Sequence, residues 1–366
     1  MSKNDLLNGH FVAWMDAEKG PESDIVISSR IRLARNLQDI SFPYFMNAEK
    51  GNKTMQEIRE AWRQSEDQLL SSLELLSFDN TSAWDRQILV EKHLISPEHG
   101  TAEEAYRGLL LSEDGSIAIM INEEDHLRIQ VMLPGLQLEK CYDLAQKIDD
   151  ALEKRLNFAF DEERGYLTSC PTNVGTGMRA SVMLHLPGIA ISGQRNRIFQ
   201  NIHQLGMAVR GLYGEGTEII GNYVQLSNQI TLGQSENEII TNLGLITRQM
   251  VEQEKILRKS LQQEMRYQLE DRVGRAYGIL TNARVINSNE ALTLLSDVRL
   301  GMDLGIIKGI NPYLINQLVV AIKPGHLQKR SGDEMEAFMR DVKRAEVIKE
   351  ILLKSKQSEI QSEKEE

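Results

Sequence analysis

The residues of this 366-residue chain that could do chemistry are arginines set against a few acids. Residues 164–214 contain no Asp and no Glu, where about seven would be expected at the chain-wide frequency. The same stretch holds five arginines, Arg164, Arg179, Arg195, Arg197 and Arg210, and no lysine. Fork-shaped guanidiniums without lysine suit a ligand with several planar oxygens, which points to phosphates. The plain alternative is a surface patch neutralised by carboxylates from elsewhere in the fold.

Three further clusters carry the same theme. In Ser28-Ser29-Arg30-Ile31-Arg32-Leu33, strand alternation sends Arg30 and Arg32 to one face and Ile31 and Leu33 to the core. Two guanidiniums side by side repel, so an anion between them would relieve the strain. Each charge-assisted bond to phosphate would contribute ~1.5–3 kcal/mol. In Asn122-Glu123-Glu124-Asp125-His126-Leu127-Arg128-Ile129, Glu124, His126 and Arg128 are expected on one strand face, a base beside a phosphate clamp. Gly211-Leu212-Tyr213-Gly214-Glu215-Gly216 reads as a mobile loop able to bring Glu215 to a ligand. Each has a bland counterpart: solvated arginines on an edge strand, an acidic turn with an internal ion pair, and a plain surface loop. Gly175-Thr-Gly177-Met-Arg-Ala180 matches a dinucleotide fingerprint only loosely, since no acid follows about 20 residues later. No P-loop occurs, nor the catalytic motifs of ordinary protein kinases.

The elements that must position these groups read as α+β. Residues 25–27, 117–121, 127–133 and 181–186 have strand character, and 53–76, 138–156 and 195–209 have helical periodicity. Strands and helices do not alternate strictly, which disfavours a doubly wound parallel sheet. Residues 1–23 form an arm with an apolar cluster at Phe11, Val12, Trp14 and Met15. A long helical pattern spans 236–279, with breaks later at Pro312 and Pro324-Gly325. The last helix, about 332–353, has an apolar stripe at Met335, Phe338, Met339, Val342, Ala345, Ile348 and Leu352. The expected division is an arm at 1–23, a mixed catalytic domain at 24–254 and an all-helical domain with a frayed tail at 255–366. A net charge of −11 disfavours a nucleic-acid or membrane-surface partner. Two cysteines, Cys141 and Cys170, fit a reducing cytoplasm, and neither a spanning segment nor a leader is expected.

Cys170-Pro171-Thr172-Asn173-Val174-Gly175-Thr176, continuing through Arg179-Ala180-Ser181-Val182, resembles the signature of the phosphagen (guanidino) kinases. Ser28 to Arg32, Asn122 to Arg128 and Arg210 to Glu218 match the same family in the same order. Over its full length the chain is most similar to the bacterial protein-arginine kinases of that family. The resemblance implies an antiparallel sheet cradled by helices, of the glutamine synthetase catalytic type, followed by an all-α C-terminal domain. It implies that Ser28, Arg30, Arg32, Arg128, Arg179 and Arg210 hold the phosphates of ATP, with His93 near the adenine. The motif segments Ser28-Ser29-Arg30-Ile31-Arg32, Arg179-Ala180-Ser181-Val182-Met183 and Arg210-Gly211-Leu212-Tyr213-Gly214-Glu215 would form the nucleotide site together. Glu124 and Glu215 would grip the substrate guanidinium beside the Cys170 thiol, with Mg²⁺ on the phosphates and no protein metal site.

Small-substrate members carry a helical domain before the Ser-x-Arg-x-Arg motif. Here that motif begins at residue 28, so a less enclosed pocket is expected, open to an arginine within a polypeptide. Arg340-Asp341-Val342-Lys343-Arg344-Ala345 matches a motif that resembles an allosteric phosphoarginine pocket, with Arg340 and Arg344 on one helix face. The activity implied is ATP-dependent phosphorylation of arginines in proteins, marking them for a Clp protease and regulating a heat-shock repressor. A zinc-containing activator, the repressor, the Clp ATPase and homodimerisation are the implied partners. The alternatives are a kinase for free arginine or another small guanidino compound, and a non-catalytic phosphoarginine-binding regulator.

Overall fold

The computed structural model describes residues 6–7, 12–16, 18, 20–211 and 219–362. Its strands are β1 Val26–Arg35, β2 Glu74–Ser77, β3 Gly108–Leu111, β4 Ile117–Ile121, β5 Leu127–Pro134, β6 Phe160–Asp161, β7 Gly165–Tyr166, β8 Met178–His185, β9 Met207–Arg210 and β10 Tyr223–Asn228. Eight of them form one sheet in the order β2-β3-β4-β5-β1-β8-β10-β9, and β6-β7 is a separate hairpin. Every neighbouring pair is antiparallel. The fold is therefore the antiparallel sheet with flanking helices that the sequence implied.

Alternation along the central strands creates the two faces. Ile31, Leu33, Ile129, Val131, Ala180 and Val182 are fully buried in one core. Helix Leu138–Glu153 lies on that face, through Cys141, Ala145, Ile148 and Leu152 at helical spacing. Burying each of the larger side chains contributes roughly 1.5–3 kcal/mol. Helix Glu236–Glu264 covers the β8–β10 end, its start fixed by a Ser235/Glu238 capping box. Arg35 ends β1 within the core, paired with Asp149 at 2.6 Å and lying 3.4 Å from the centroid of the Tyr166 ring.

On the opposite face a second core joins Trp14, Met15, Ile27, Met132, Met183 and Tyr223 to helices Ser288–Asp303 and Pro312–Ala321. Helices Arg266–Asn282, Pro324–Ser331 and Ala337–Ser362 complete the helical part. Val12, Trp14 and Met15 of the arm are buried there, and the Trp14 indole N–H donates to the Lys92 carbonyl at 3.1 Å. Phe11 lies outside the described residues.

Several expected elements differ. The helix expected at 53–76 is Ala48–Arg63; Asp67 then caps a short turn of helix and Glu74–Ser77 pairs with β3. The helix expected at 195–209 stops at Gln204, because Gly206, at φ +76°, turns the chain into β9. The pattern at 236–279 is two helices broken at Met265, so residues 254 and 255 both lie inside the first of them. In the last helix Ala345, Ile348 and Leu352 are buried, whereas Phe338 and Met339 face solvent. No helix among the described residues is long and apolar enough to cross a membrane.

Candidate active site

Five strands deliver polar side chains to one cavity of about 660 Å³ on the sheet face opposite helix Leu138–Glu153. The register explains the gathering. Arg32 stands directly opposite Gln130 on β5 and Arg179 on β8, and Arg30 stands opposite Ser181. Gln225 of β10 stands opposite Arg210 of β9. Arg30, Arg32, Arg128, Arg179 and Arg210 all line the cavity.

Arg30 is held by the Ser181 hydroxyl at 3.3 Å and the Gln225 carbonyl oxygen at 3.0 Å. The buried Nε of Arg32 has no hydrogen-bond partner among the described residues. Burial, with Arg128 and Arg179 nearby, pulls the Arg30 guanidinium down to about 10. Burial and the same crowd of cations push Arg32 well below the ordinary arginine range. Both side chains thus hold positive charge at a price in free energy, which a polyanion between them would lower.

The acids arrive on a hairpin turn rather than on a strand. Asn122, at φ +57°, opens the turn, and its side chain donates to the carbonyls of Gly51 at 3.1 Å and Tyr106 at 2.8 Å. The Arg128 guanidinium lies 2.8 Å from Glu123 and 3.6 Å from Glu124, and the Ser96 hydroxyl donates to Glu123 at 2.5 Å. Burial alone would raise the Glu123 carboxyl, but Arg128 and Ser96 overcome it and hold the group at about 2. Glu124 is pushed the other way. Burial raises it, Asp125, Glu123 and Glu98 add to the rise, and Arg128 offsets only part. One glutamate is therefore a fixed anion and the other a better proton acceptor.

Asp125 ties this turn to the cysteine loop, accepting from Asn36 Nδ2 at 2.6 Å and from the Ser169 N–H at 2.7 Å. The Ser169 hydroxyl donates to the Glu124 carbonyl at 2.6 Å. Cys170 follows, half-exposed at the cavity wall, with its Sγ 3.0 Å from the Thr172 hydroxyl. At the far end His93, at φ +60°, packs edge-on to Trp14 at 5.7 Å, and its carbonyl accepts from Gln130 at 2.8 Å. Burial first, then Arg30 and Lys323, lower the imidazole to about 3, so it is neutral at pH 7. Val90, Ile95, Pro97 and Met120 line the cavity with it, a neutral apolar end suited to a flat base.

Arg30, Arg32, His93, Glu124, Arg128, Cys170, Arg179 and Arg210 thus share one cavity. Other expected residues do not reach it with their side chains. Ser29 lies on the opposite face, where its hydroxyl donates to Gly135 at 2.8 Å and accepts from the Gln137 N–H. Ile31, Ala180 and Val182 point into the core, as alternation requires of the neighbours of Arg30, Arg32, Arg179 and Ser181. Ser28 and Met183 share the arginine face but are buried beside the cavity, Met183 in the second core. Ser181 acts through Arg30. His126, expected beside Glu124, turns away; its ring meets the Leu37 N–H at 2.9 Å and the Ser41 carbonyl at 3.1 Å. Arg164, Arg195 and Arg197 are exposed elsewhere. Gly211 ends a described segment, and Leu212, Tyr213, Gly214 and Glu215 lie outside the described residues.

The residues that sequence reasoning missed are Glu123, Gln130 and Gln225. Strand alternation pointed to Gln130, two positions after Arg128, while nothing local marked Gln225. In the C-terminal motif Arg344 is buried, donating to the Ile322 and Ile286 carbonyls at 3.0 Å each and pairing with Asp341. Arg340, half-buried, donates to the Met335 carbonyl at 2.6 Å. The two arginines therefore do not present one open face. Val342 is half-buried, Lys343 pairs with Glu346 and Ala345 packs in the core. Among the described residues, no group of three or more His, Cys, Asp or Glu is arranged to hold a metal ion.

Comparison with known proteins places this geometry. The sequence profile of the ATP:guanido phosphotransferase C-terminal catalytic domain matches residues 53–257, and that of the protein-arginine kinase McsB C-terminal domain matches residues 266–363. A protein-arginine kinase of Syntrophomonas wolfei is 65% identical over 96% of this chain and 98% of its own. One from Bacillus pumilus is 50% identical over 96% of each chain. Among solved structures, the duplicated taurocyamine kinase of Schistosoma mansoni, with bound transition-state analogue components, superposes with a TM-score of 0.59 at 27% identity. It covers 67% of this chain and 36% of that duplicated one.

Proposed function

The chain belongs to the ATP:guanido phosphotransferase family and, within it, to the protein-arginine kinases, and from that premise we propose that it moves the γ-phosphoryl group of ATP onto arginine side chains of proteins. The observation that carries this reading is the convergence of five arginines from four strands opposite the Glu123-Glu124 turn and Cys170. Phosphoryl transfer asks for positioning and charge stabilisation more than covalent help. Arg30, Arg32, Arg128, Arg179 and Arg210 supply fixed positive charge for the phosphates. The neutral His93 end takes the adenine.

The acceptor is the harder partner. A guanidinium with a pKa of about 12.5–13.8 is a poor nucleophile, and deprotonating it at pH 7 costs on the order of 8 kcal/mol. Glu124, with its raised proton affinity, orients one nitrogen toward the phosphorus and takes the proton as the bond forms. Glu123 holds Arg128 in place, and Glu215 is the second clamp by family resemblance. No carboxylate cluster among the described residues is arranged to hold Mg²⁺, so the ATP phosphates and water would hold it, and it would supply positive charge beside that of the arginines. The acceptor end is accessible: Glu124 is 44% exposed at its side chain and Cys170 is half-exposed, which favours an arginine still attached to a polypeptide.

The same reading extends to the chain's setting. Phosphorylated proteins pass to a Clp protease, a heat-shock repressor is a substrate, and a zinc-containing protein is an activator. The enzyme is a cytoplasmic homodimer whose Arg340–Ala345 segment senses phosphoarginine. The test is incubation with Mg-ATP and an unfolded protein, followed by phosphorus NMR for acid-labile phosphoarginine. A wild-type signal that vanishes in Glu124→Gln supports the proposal, and no wild-type signal overturns it. Faster turnover of free arginine selects a metabolite kinase, and phosphoarginine binding without turnover selects a regulator.

A further inference from the structure

The tripeptide Glu91-Lys92-His93 is where three parts of the molecule meet. The His93 carbonyl is held by Gln130 of the sheet. The Lys92 carbonyl is held by Trp14 of the arm, and its ammonium donates to the Leu6 carbonyl. Glu91, 3% exposed, belongs to neither contact. Its carboxylate caps helix Pro324–Ser331 of the C-terminal part, accepting from the Gly325 N–H at 2.8 Å and the His326 N–H at 3.1 Å. The His326 ring adds a third bond at 2.7 Å, and Gln87 a fourth at 3.1 Å. The residue before this helix is Lys323, whose charge acts on the His93 imidazole. Ile322, just before it, gives its carbonyl to Arg344. A Cβ on Gly325 would stand 3.0 Å from the Glu91 carboxylate, so the helix end and the acid are in close contact.

We propose that Glu91 is a positioning residue of the nucleotide pocket, fixing the His93 segment to the end of helix Pro324–Ser331 so that ATP affinity depends on the docking of the C-terminal helices. The proposal rests on the reading of the cavity as an ATP site. A buried carboxylate bonded to a helix N-terminus resists movement of either partner, because separation would leave a charge and two N–H groups without compensation. Coupling of this kind is reciprocal: whatever shifts Lys323 and Arg344 changes ATP binding, and ATP steadies the C-terminal helices.

The experiment measures ATP binding by calorimetry and steady-state kinetics on full-length Glu91→Gln, His326→Asn and the double variant. Glutamine cannot accept all the bonds or supply the charge. Each single variant is expected to raise the ATP dissociation constant and KM about tenfold, equivalent to about 1.4 kcal/mol. The kcat at saturating ATP and the KM for protein arginine should stay within about twofold, and the double variant should fall short of additivity. Glu91→Asp should restore part of the affinity. Unchanged ATP affinity in folded Glu91→Gln overturns the inference, as does an equal loss toward both substrates. Should Glu91→Gln not fold, His326→Asn decides by the same criteria. Failure of the wild type to bind ATP would sink the function itself, a result distinct from any of these.

Discussion

Adjacent glutamates in this site should fail in opposite ways. Glu123 has a side chain 4% exposed, bonded to Arg128 at 2.8 Å and to Ser96 at 2.5 Å. Glutamine there keeps one acceptor but leaves the Arg128 guanidinium, 15% exposed, without its close counter-charge. Removing one partner of a buried pair costs about 3–5 kcal/mol, and the retained acceptor reduces this to about 2–3 kcal/mol. Glu124 is 44% exposed and 3.6 Å from Arg128, so Glu124→Gln should lower stability by less than about 1 kcal/mol. Its turnover should fall by roughly 10²–10⁴, the usual worth of a positioned base. Urea denaturation and single-turnover phosphorus NMR on both variants separate the two effects. Wild-type turnover in Glu124→Gln, or a Glu123→Gln variant no less stable than Glu124→Gln, would refute the division of labour.

Other consequences follow from the crowded cations and buried rings. Arg32→Gln should raise the denaturation midpoint of the ATP-free protein by relieving repulsion with Arg30, Arg128 and Arg179, while weakening ATP binding roughly 10–100-fold, as loss of one charge-assisted bond predicts. A calorimetric titration with ATP that matches wild type would contradict this. His93, His99, His126 and His185 are all held neutral, His93 down to about 3 and His99 and His126 to about 4. Their folded values lie below the unfolded one, so the unfolded chain takes up protons first and stability falls with pH from about 7 to 5.5. The slope approaches about 1.4 kcal/mol per pH unit for each ring, and a flat urea midpoint over that range would count against it. Iodoacetamide should alkylate half-exposed Cys170 and spare Cys141, whose thiol burial pushes up to about 12; peptide mapping reads the outcome, and labelling of Cys141 in native protein would be contrary.

Much of the site was legible because its carriers are strands. Arg30 and Arg32 alternate with Ile31 and Leu33, and period two alone assigns their faces. The same rule, applied across Glu124 to Arg128, failed at His126, because Asn122 opens a turn and no strand exists until Leu127. Ser29 was drawn into the nucleotide site by its place in a motif, although its parity puts it with Ile31. Tertiary partners decided the rest. Met207–Arg210 has the apolar content to extend a helix, yet it pairs with β10 once Gly206 turns the chain. Nothing local to Glu91 or Gln225 announces their partners, which lie 234 and 195 positions away in the chain.

The parity of β1, β5, β8 and β9 also limits how such a chain can change length. Deleting or inserting one amino acid within Val26–Arg35 would swap the destinations of every side chain beyond that point, driving guanidiniums among Ile129 and Ala180 and setting isoleucine in the polar cavity. A two-residue change keeps the alternation, though it displaces the positive row along its neighbours. Variation in length is therefore to be sought in the connections between strands, and the strands themselves should behave as an indivisible reading frame for charge.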